Sequence, residues 1–182
     1  MQVSHILSLY TKRNIVPITL RSIMQQEGTL ERELILMDDN SKDDTVAVVK
    51  EVTQGFPAKI ITNLSNKGPS VRLNEGAALS SAKYLHFLDH DDILPVDAVQ
   101  KMYDILESTG ADFLYGRWEI TDKKPEELLG TKTSGTMNYT VSDKPLDTVL
   151  SGKFKRMCLL ARREVFAKAG GFDPEVFIQD ES

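Results

Sequence analysis

The sequence predicts an α/β domain in which helices cover both faces of a mostly parallel, Rossmann-like sheet. Short apolar segments alternate with amphipathic ones along the chain, and the connections between them are short. Two of the apolar segments run directly into acidic residues, which the interior of a buried strand could not hold. The acids are therefore expected where strands end, at the edge where such sheets bind their ligands.

Bulk composition narrows the class of protein. With 182 residues, 41% hydrophobic content and a formal net charge of −5, one globular domain with an adequate core is expected. A pI near 5.3 argues against nucleic acid as a partner, because phosphate binding requires concentrated lysine and arginine. The single cysteine, Cys158, excludes an internal disulfide. No segment resembles a membrane span or a signal peptide, which predicts a cytoplasmic location and leaves peripheral association with the inner membrane face open.

Strands and helices can be assigned in chain order. Segments rich in β-branched and aliphatic residues predict strands at 3–10, 33–37, 59–62, 84–88, 112–120 and 156–161. Apolar residues three and four apart predict helices at 14–26, from Ser41 or Asp43 onward, and at 70–83, 97–108 and 162–169. Asn14 is expected to cap the first helix, and Gly110 to end the fourth. The polar residues 121–141 predict a loop or irregular β excursion, and 143–150 a short helix.

The central strand, Tyr84–Leu88, is followed by Asp89, His90, Asp91 and Asp92. If the chain stays extended, Asp89 and Asp91 project to one side and the other two residues point elsewhere. That spacing suits one hard divalent cation, Mg²⁺ or Mn²⁺, which takes oxygen ligands and leaves positions for water and substrate phosphates. The alternative is a solvated acidic turn before a helix, with Asp92 or a neighbouring residue as the N-cap.

Several motifs agree in order and spacing with one known family. They are Val3-Ser4 at the first strand, Asp38-Asp39-Asn40-Ser41-Lys42-Asp43-Asp44-Thr45, Asn66-Lys67-Gly68 with Arg72, Asn74 and Gly76, Phe87-Leu88-Asp89-His90-Asp91-Asp92, and Gly170-Gly171-Phe172-Asp173. Together they resemble the family 2 glycosyltransferases of GT-A fold across essentially the whole chain. The resemblance implies transfer of a sugar from a nucleoside diphosphate donor, expected to be a UDP-sugar, to an acceptor hydroxyl with inversion at the anomeric carbon.

The resemblance also implies roles on the donor side. Ser8 and Asp39 match positions that hold the nucleoside base, and a carboxylate suits the ring N–H of uracil. The alternative for Asp39 is to cap the helix that begins near Ser41. Arg72 and Asn74 match positions lining the donor pocket, although an exposed arginine on the helix surface is nearly as good an interpretation of Arg72.

For the reacting groups, Asp89 matches a residue that touches ribose or the water shell of the metal. Asp91 matches the metal-binding acid, and Asp92 follows directly. Asp180 matches the general base, with Gln179 in place of the family's glutamate. Family members commonly have Pro-Thr-Tyr-Asn after the first strand, whereas this chain has Ser8-Leu9-Tyr10-Thr11 at that place.

The domain prediction follows from the same resemblance. Residues 1–182 are expected to form one catalytic domain shortened at its C-terminus, with 1–120 binding the nucleotide sugar and 121–182 starting the acceptor part. The expected partners are the nucleotide sugar and a glycan, lipid-linked or protein acceptor, as in polysaccharide or cell-surface glycan synthesis.

The remaining candidate side chains have structural interpretations. His90 is interpreted as structural, because Mg²⁺ and Mn²⁺ prefer oxygen. His5 and His86 are expected to be buried and hydrogen-bonded, and Cys158 to be a small core residue. Trp118 fits the core better than a sugar-stacking site.

Two alternatives for function stay open. A nucleotidyltransferase also places acids at strand ends, but residues 8–14 contain no glycine for a phosphate loop. A non-enzymatic module that binds only the donor or a partner subunit is the second.

Overall fold

The computed structural model describes residues 1–117, 119–133, 138–144 and 158–175. These residues form a six-stranded sheet in the order β3-β2-β1-β4-β6-β5. The strands are β1 (Val3–Leu9), β2 (Arg32–Asp38), β3 (Ala58–Thr62), β4 (Tyr84–Leu88), β5 (Phe113–Tyr115) and β6 (Cys158–Arg162).

The first four strands are parallel, and β6 runs antiparallel to both β4 and β5. The chain builds outward from β1 to β3 and then returns to place β4 on the other side of β1. This reversal makes the carboxyl ends of β1 and β4 the topological switch point, where open α/β sheets bind ligands. The predicted mostly parallel sheet is confirmed.

Helices cover both faces of the sheet, as predicted. They are α1 (Val16–Met24), α2 (Thr45–Val52), α3 (Pro69–Ala78), α4 (Ala98–Thr109), α5 (Pro125–Leu128) and α6 (Arg163–Lys168). Side chains of α1, α2 and α4 share one core with the sheet, and those of α3 share the other, against which Phe166 of α6 packs. The backbone of α3 lies close to the sheet, since a Cβ on Gly76 would come within 2.6 Å of Ile6 Cγ2.

Three helix boundaries differ from the prediction. The first turn of α1 starts on the Lys12 carbonyl, and its N-cap is Ile15 rather than Asn14. Helix α2 begins only at Thr45, because the Ser41 hydroxyl accepts the Thr11 amide instead of capping. Helix α3 ends at Ala78.

The chain leaves α3 early because Ser80 forms a buried turn. Its hydroxyl accepts from the Ala82 amide at 3.1 Å and bonds the Ser4 hydroxyl at 2.7 Å. Strand β5 is likewise shorter than predicted. The predicted short helix at 143–150 lies largely outside the described residues.

Within the described part of the chain, no helix is long and apolar enough to cross a membrane.

Candidate active site

The acidic residues after β4 lie on a turn, not on a continuing strand. The Asp92 amide donates to the Asp89 carbonyl at 3.3 Å, which closes the turn immediately after Leu88. The side-chain alternation of a strand therefore stops at Leu88. The expectation that Asp89 and Asp91 share a side because the chain is extended is wrong.

The turn separates the three carboxylates into two environments. Asp91 is exposed, with 47% of its side chain accessible, and its Oδ2 lies 4.0 Å from His90 Nε2. Asp89 and Asp92 are half-buried and lie near the Cys158 thiol on β6. Burial, together with the negative charges of Asp92 and Asp89, raises the pKa of Cys158 to about 12. Cys158 is thus a neutral thiol beside the acids, as a core residue should be.

The carboxylate oxygens of the turn after β4 are ligands that suit a hard divalent cation. The turn offers carboxylate oxygens at the open end of the sheet, which Mg²⁺ and Mn²⁺ prefer. In the described residues, no three His, Cys, Asp or Glu side chains gather closely enough to enclose an ion by themselves. Mg²⁺ commonly binds through one or two carboxylates, with water and substrate phosphates as its other ligands. The exposed carboxylate of Asp91 is accessible to an ion bound in this way.

A buried ion pair lies at the end of β2, which β1 separates from β4. Arg72 Nε donates to Asp39 Oδ1 at 2.6 Å, and each side chain is only 3% exposed. The Asp39 carboxylate also accepts the backbone amides of Lys67 and Gly68, the latter at 2.8 Å. Asp39 therefore holds the loop that enters α3, and the alternative that it caps α2 is wrong.

Each nitrogen of the Arg72 guanidinium donates a hydrogen bond within the protein. Nη1 donates to Glu75 Oε2 at 2.6 Å and Nη2 donates to the Ser65 carbonyl. Burial alone would lower the pKa of Arg72, but hydrogen bonds with Glu75 and Asp39 raise it above its usual value. The alternative of an exposed helix-surface arginine is wrong.

Asn74 joins α3 to the Gly-Gly-Phe segment near the end of the described chain. Its Nδ2 donates to the Phe172 carbonyl at 2.7 Å, and its Oδ1 accepts the Phe172 amide at 2.9 Å. Gly171 has φ +79°, and a Cβ there would lie 2.5 Å from Asn74 Oδ1. Gly171 is therefore required by the close approach of Asn74. The hydrogen bonds between Asn74 and Phe172 were not predicted from the sequence. A role for Asn74 in the donor pocket stays a prediction.

Two hydrogen-bonded loops frame the carboxyl ends of β1 and β2. Ser8 is half-buried in β1, opposite Met37 of β2. Thr11 has φ +53°, an unfavourable conformation for a β-branched residue, and occupies the place of the family's usual asparagine. Its amide donates to Ser41 Oγ at 2.9 Å, and its hydroxyl accepts the Lys42 amide. These bonds compensate for the backbone strain.

A cleft of about 290 Å³ lies at this edge. Its lining residues are Thr11, Lys12, Arg13, Asn14, Ile15 and Asp43. Tyr10 is 44% exposed at the end of β1 and was not predicted as a site residue. The signal that could have identified it is an aromatic residue directly after a buried strand.

The predicted residues therefore fall into groups along one edge. Asp39 and Arg72 make direct contact, while Asp89 and Asp92 lie together near Cys158. Since β1 separates β2 from β4, the ends of those two strands lie roughly 10 Å apart. Asp180, the predicted general base, and Trp118 lie outside the described residues.

Several curated relatives are named as glycosyltransferases. An uncharacterized glycosyltransferase of Haemophilus influenzae is 28% identical over 92% of this chain and 55% of its own length. The poly(ribitol-phosphate) beta-N-acetylglucosaminyltransferase TarP of Staphylococcus aureus is 29% identical over 67% of this chain and 38% of its own. The chain spans about half the length of the first relatives it matches.

Solved structures share the fold at low sequence identity. Staphylococcus aureus TarS 1–349 in complex with UDP aligns with TM-score 0.78 and 17% identity, covering 98% of this chain and 52% of that TarS fragment. The mannosyltransferase PcManGT of Pyrobaculum calidifontis, in complex with GDP-Man and Mn²⁺, aligns with TM-score 0.71 and 17% identity. That alignment covers 96% of this chain and 48% of PcManGT.

The sheet order and these structural neighbours show that the chain has a GT-A fold. The glycosyl transferase family 2 model matches residues 4–169, and the chain belongs to that family.

Proposed function

We propose that this chain forms the donor-binding part of a metal-dependent, inverting glycosyltransferase that uses a UDP-sugar. The observation that carries the proposal is the acidic turn after β4 at the switch point of the sheet. Only β1 lies between this turn and the buried Asp39–Arg72 pair at the end of β2. A nucleoside diphosphate is long enough to span the roughly 10 Å between the ends of β2 and β4. In this arrangement the nucleoside lies toward β2 and the diphosphate lies toward the acidic turn.

At the nucleoside end, Asp39 is proposed to accept the ring N–H of uracil, a donor that a carboxylate suits. Three protein donors already reach its two oxygens: the Arg72 guanidinium on Oδ1, the Gly68 amide on Oδ2 and the Lys67 amide on both. The uracil N–H would replace one of the two Lys67 contacts. Ser8 is proposed beside it, and Tyr10 offers an exposed ring on which a base can stack.

At the phosphate end, Asp91 and Asp92 would hold Mg²⁺ or Mn²⁺, with Asp89 toward the ribose or the water shell of the ion. The bound cation would stabilise the negative charge that develops on the departing nucleoside diphosphate. Arg72 contributes indirectly, because its guanidinium fixes Asp39 and the Ser65 carbonyl rather than facing solvent.

The acceptor side is assigned to residues 121–182. Asp180 is proposed as the general base that takes the proton of the acceptor hydroxyl, a contribution of roughly 10²–10⁴-fold in rate. Asn74 anchors Phe172, which precedes Asp180 by eight positions in the sequence, onto α3. We propose a cell-surface glycan, lipid-linked or polymeric, as the acceptor, met at the inner face of the membrane. The relative TarP, a poly(ribitol-phosphate) beta-N-acetylglucosaminyltransferase, supports the polymeric form.

The metal assignment is tested by thermal unfolding with UDP. At UDP about 100-fold above its Kd, stabilisation of about 2.7 kcal/mol is expected, and only when Mn²⁺ or Mg²⁺ is present. Asp91→Asn should lose most of the resulting rise in Tm, because an amide is a weaker ligand for a hard cation. Asp122→Asn, which changes an exposed aspartate outside the site, serves as the control. An equal metal-dependent shift in Asp91→Asn would refute the role of Asp91.

The base assignment needs a transfer assay with a panel of sugar nucleotides. Asp180→Asn should lower transfer by roughly 10²–10⁴-fold and leave the UDP-induced rise in Tm unchanged. If Asp180→Asn lost both sugar transfer and the UDP-induced rise in Tm, Asp180 would be a binding residue instead. If the wild-type protein binds UDP with Mn²⁺ yet transfers none of the sugars, the donor-binding module is the better description.

A further inference from the structure

The segment after the acidic turn, residues 90–99, is held by buried polar side chains on and just after α1. Thr19 Oγ1 donates to the His90 carbonyl at 2.8 Å, and Ser22 Oγ accepts the Leu94 amide at 3.2 Å. Gln26 makes two contacts farther along, donating to the Pro95 carbonyl at 2.7 Å and accepting the Val99 amide at 3.0 Å. Four side-chain hydrogen bonds thus connect this part of the chain to residues 90–99.

These three side chains are part of the protein interior. Thr19, Ser22 and Gln26 are 0%, 1% and 5% exposed, and their spacing of three and then four residues places them on one helical face. A buried polar group without a partner costs about 1–3 kcal/mol, so displacement of residues 90–99 would leave several such groups unpaired. The hydrogen bonds therefore favour one position of this segment relative to α1.

The contact made by Thr19 is the one nearest the proposed metal site. The His90 carbonyl belongs to the peptide unit that joins His90 to Asp91, and that unit is planar. A hydrogen bond that fixes the carbonyl also fixes the direction in which the backbone enters Asp91. The turn's own Asp92–Asp89 hydrogen bond is long, at 3.3 Å, and holds the turn only weakly.

We propose that Thr19 is a positioning residue for the donor-phosphate site, since its hydroxyl orients the His90–Asp91 peptide and so presents the Asp91 carboxylate to the metal and diphosphate. Ser22 and Gln26 fix the segment that follows. This inference rests on the proposed function of the acidic turn. Hydrogen bonds behind a metal ligand commonly change metal affinity by about 10–100-fold when they are removed.

The test compares two matched threonine substitutions. Thr19→Val keeps the β-branched shape and removes the hydroxyl. Thr53→Val removes a similarly buried hydroxyl that donates to the Val49 carbonyl at 2.8 Å in α2, away from the acidic turn. Both variants should lose similar stability, because each loses one buried hydrogen bond. Calorimetric titration of UDP in the presence of Mn²⁺ should show at least about tenfold weaker binding for Thr19→Val and unchanged binding for Thr53→Val.

A third variant and a second measurement separate positioning from general destabilisation. Thr19→Ser restores the hydroxyl and should recover UDP affinity. Hydrogen exchange of the amides from Asp91 to Leu94, measured without ligand, should be faster in Thr19→Val than in Thr53→Val.

The outcomes distinguish this inference from the proposed function. If the wild-type protein binds UDP with Mn²⁺ and Thr19→Val binds it equally well, the positioning role is refuted while the proposed function stands. Equal exchange rates at the turn in the two valine variants would also refute it. Failure of the wild-type protein to bind UDP with either metal would overturn both.

Discussion

Arg72→Met is expected to lower the free energy of unfolding by about 3–5 kcal/mol, because it leaves the Asp39 carboxylate buried without its cationic partner. The two side chains are each 3% exposed and approach to 2.6 Å. Methionine preserves much of the aliphatic volume, so most of the loss comes from the uncompensated charge. Denaturant unfolding at neutral pH measures the effect.

The chain contains a matched exposed pair as a control. Arg13 and Asp44 approach to 3.6 Å with 53% and 78% of their side chains accessible. Arg13→Met should change stability by no more than about 1 kcal/mol, because water screens the pair. Similar losses in the two variants would contradict the assignment of Arg72 and Asp39 as a buried structural pair.

A double-mutant cycle isolates the interaction itself. Asp39→Asn removes the negative charge with little change in shape and should also destabilise the protein. Once the carboxylate is gone, Arg72→Met no longer leaves a buried charge unpaired, so the combined loss should be smaller than the sum by about 1–3 kcal/mol. Simple additivity of the two losses would show that the residues do not act as a pair.

Stability is expected to decrease as the pH falls from about 6.5 to 4, because two histidines are buried in the sheet. His5 and His86 lie side by side on β1 and β4, both 0% exposed, with their Nδ1 atoms 2.8 Å apart. Burial lowers the pKa of His86 from 6.5 to about 4. Burial, followed by the charges of His86 and Arg32, lowers the pKa of His5 well below 6.5.

The direction of this effect follows from where the proton binds. The folded-state pKa of each histidine is below its unfolded value, so the unfolded chain takes up protons first as the pH falls below 6.5. Above that pH both states are neutral and the histidines contribute no pH dependence. Below pH 6.5 each histidine lowers the free energy of unfolding by about 1.4 kcal/mol per pH unit. For His86 this loss reaches about 3 kcal/mol near pH 4.

Replacing both histidines tests the cause. His5→Leu/His86→Leu should have nearly constant stability between pH 6.5 and 4.5 in denaturant unfolding. Thr53→Val, which is destabilised without loss of a titratable group, should keep the wild-type pH dependence. If the double variant loses stability with pH as steeply as the wild-type protein, groups other than these histidines cause the effect.

The hydrogen-bond pattern supports the neutral state of both rings. Among the described residues, His5 Nε2 has no hydrogen-bond partner. An unprotonated ring nitrogen is less costly to bury without a partner than an unpaired N–H group. His5 Nε2 is therefore unprotonated, and His5 carries its hydrogen on Nδ1 and donates it to His86 Nδ1. The hydrogen of His86 is then on Nε2, 3.7 Å from Cys158 Sγ. The sequence predicted burial and hydrogen bonding for both histidines, and the structure confirms it.

Local chemistry made the strand ends predictable, because carboxylates cannot continue a buried strand such as Tyr84–Leu88. Strand and helix periodicity, with the change in composition at the acids, was sufficient to predict the fold class and the end of the sheet at which the acidic residues lie. The extended-chain rule failed beyond Leu88, where a backbone hydrogen bond closes a turn that leaves Asp91 exposed and Asp89 half-buried.

The sequence by itself determined the alternation of strands and helices, the acidic residues at two strand ends and the motifs shared with the family, because each depends on neighbours a few positions apart. Only the tertiary structure decided that Arg72 pairs with Asp39, that Asn74 binds Phe172 and that Thr19 binds the His90 carbonyl. These partners lie 33, 98 and 71 positions apart. Periodicity describes which side of an element a residue occupies, whereas the packing of distant elements determines which buried group it must satisfy.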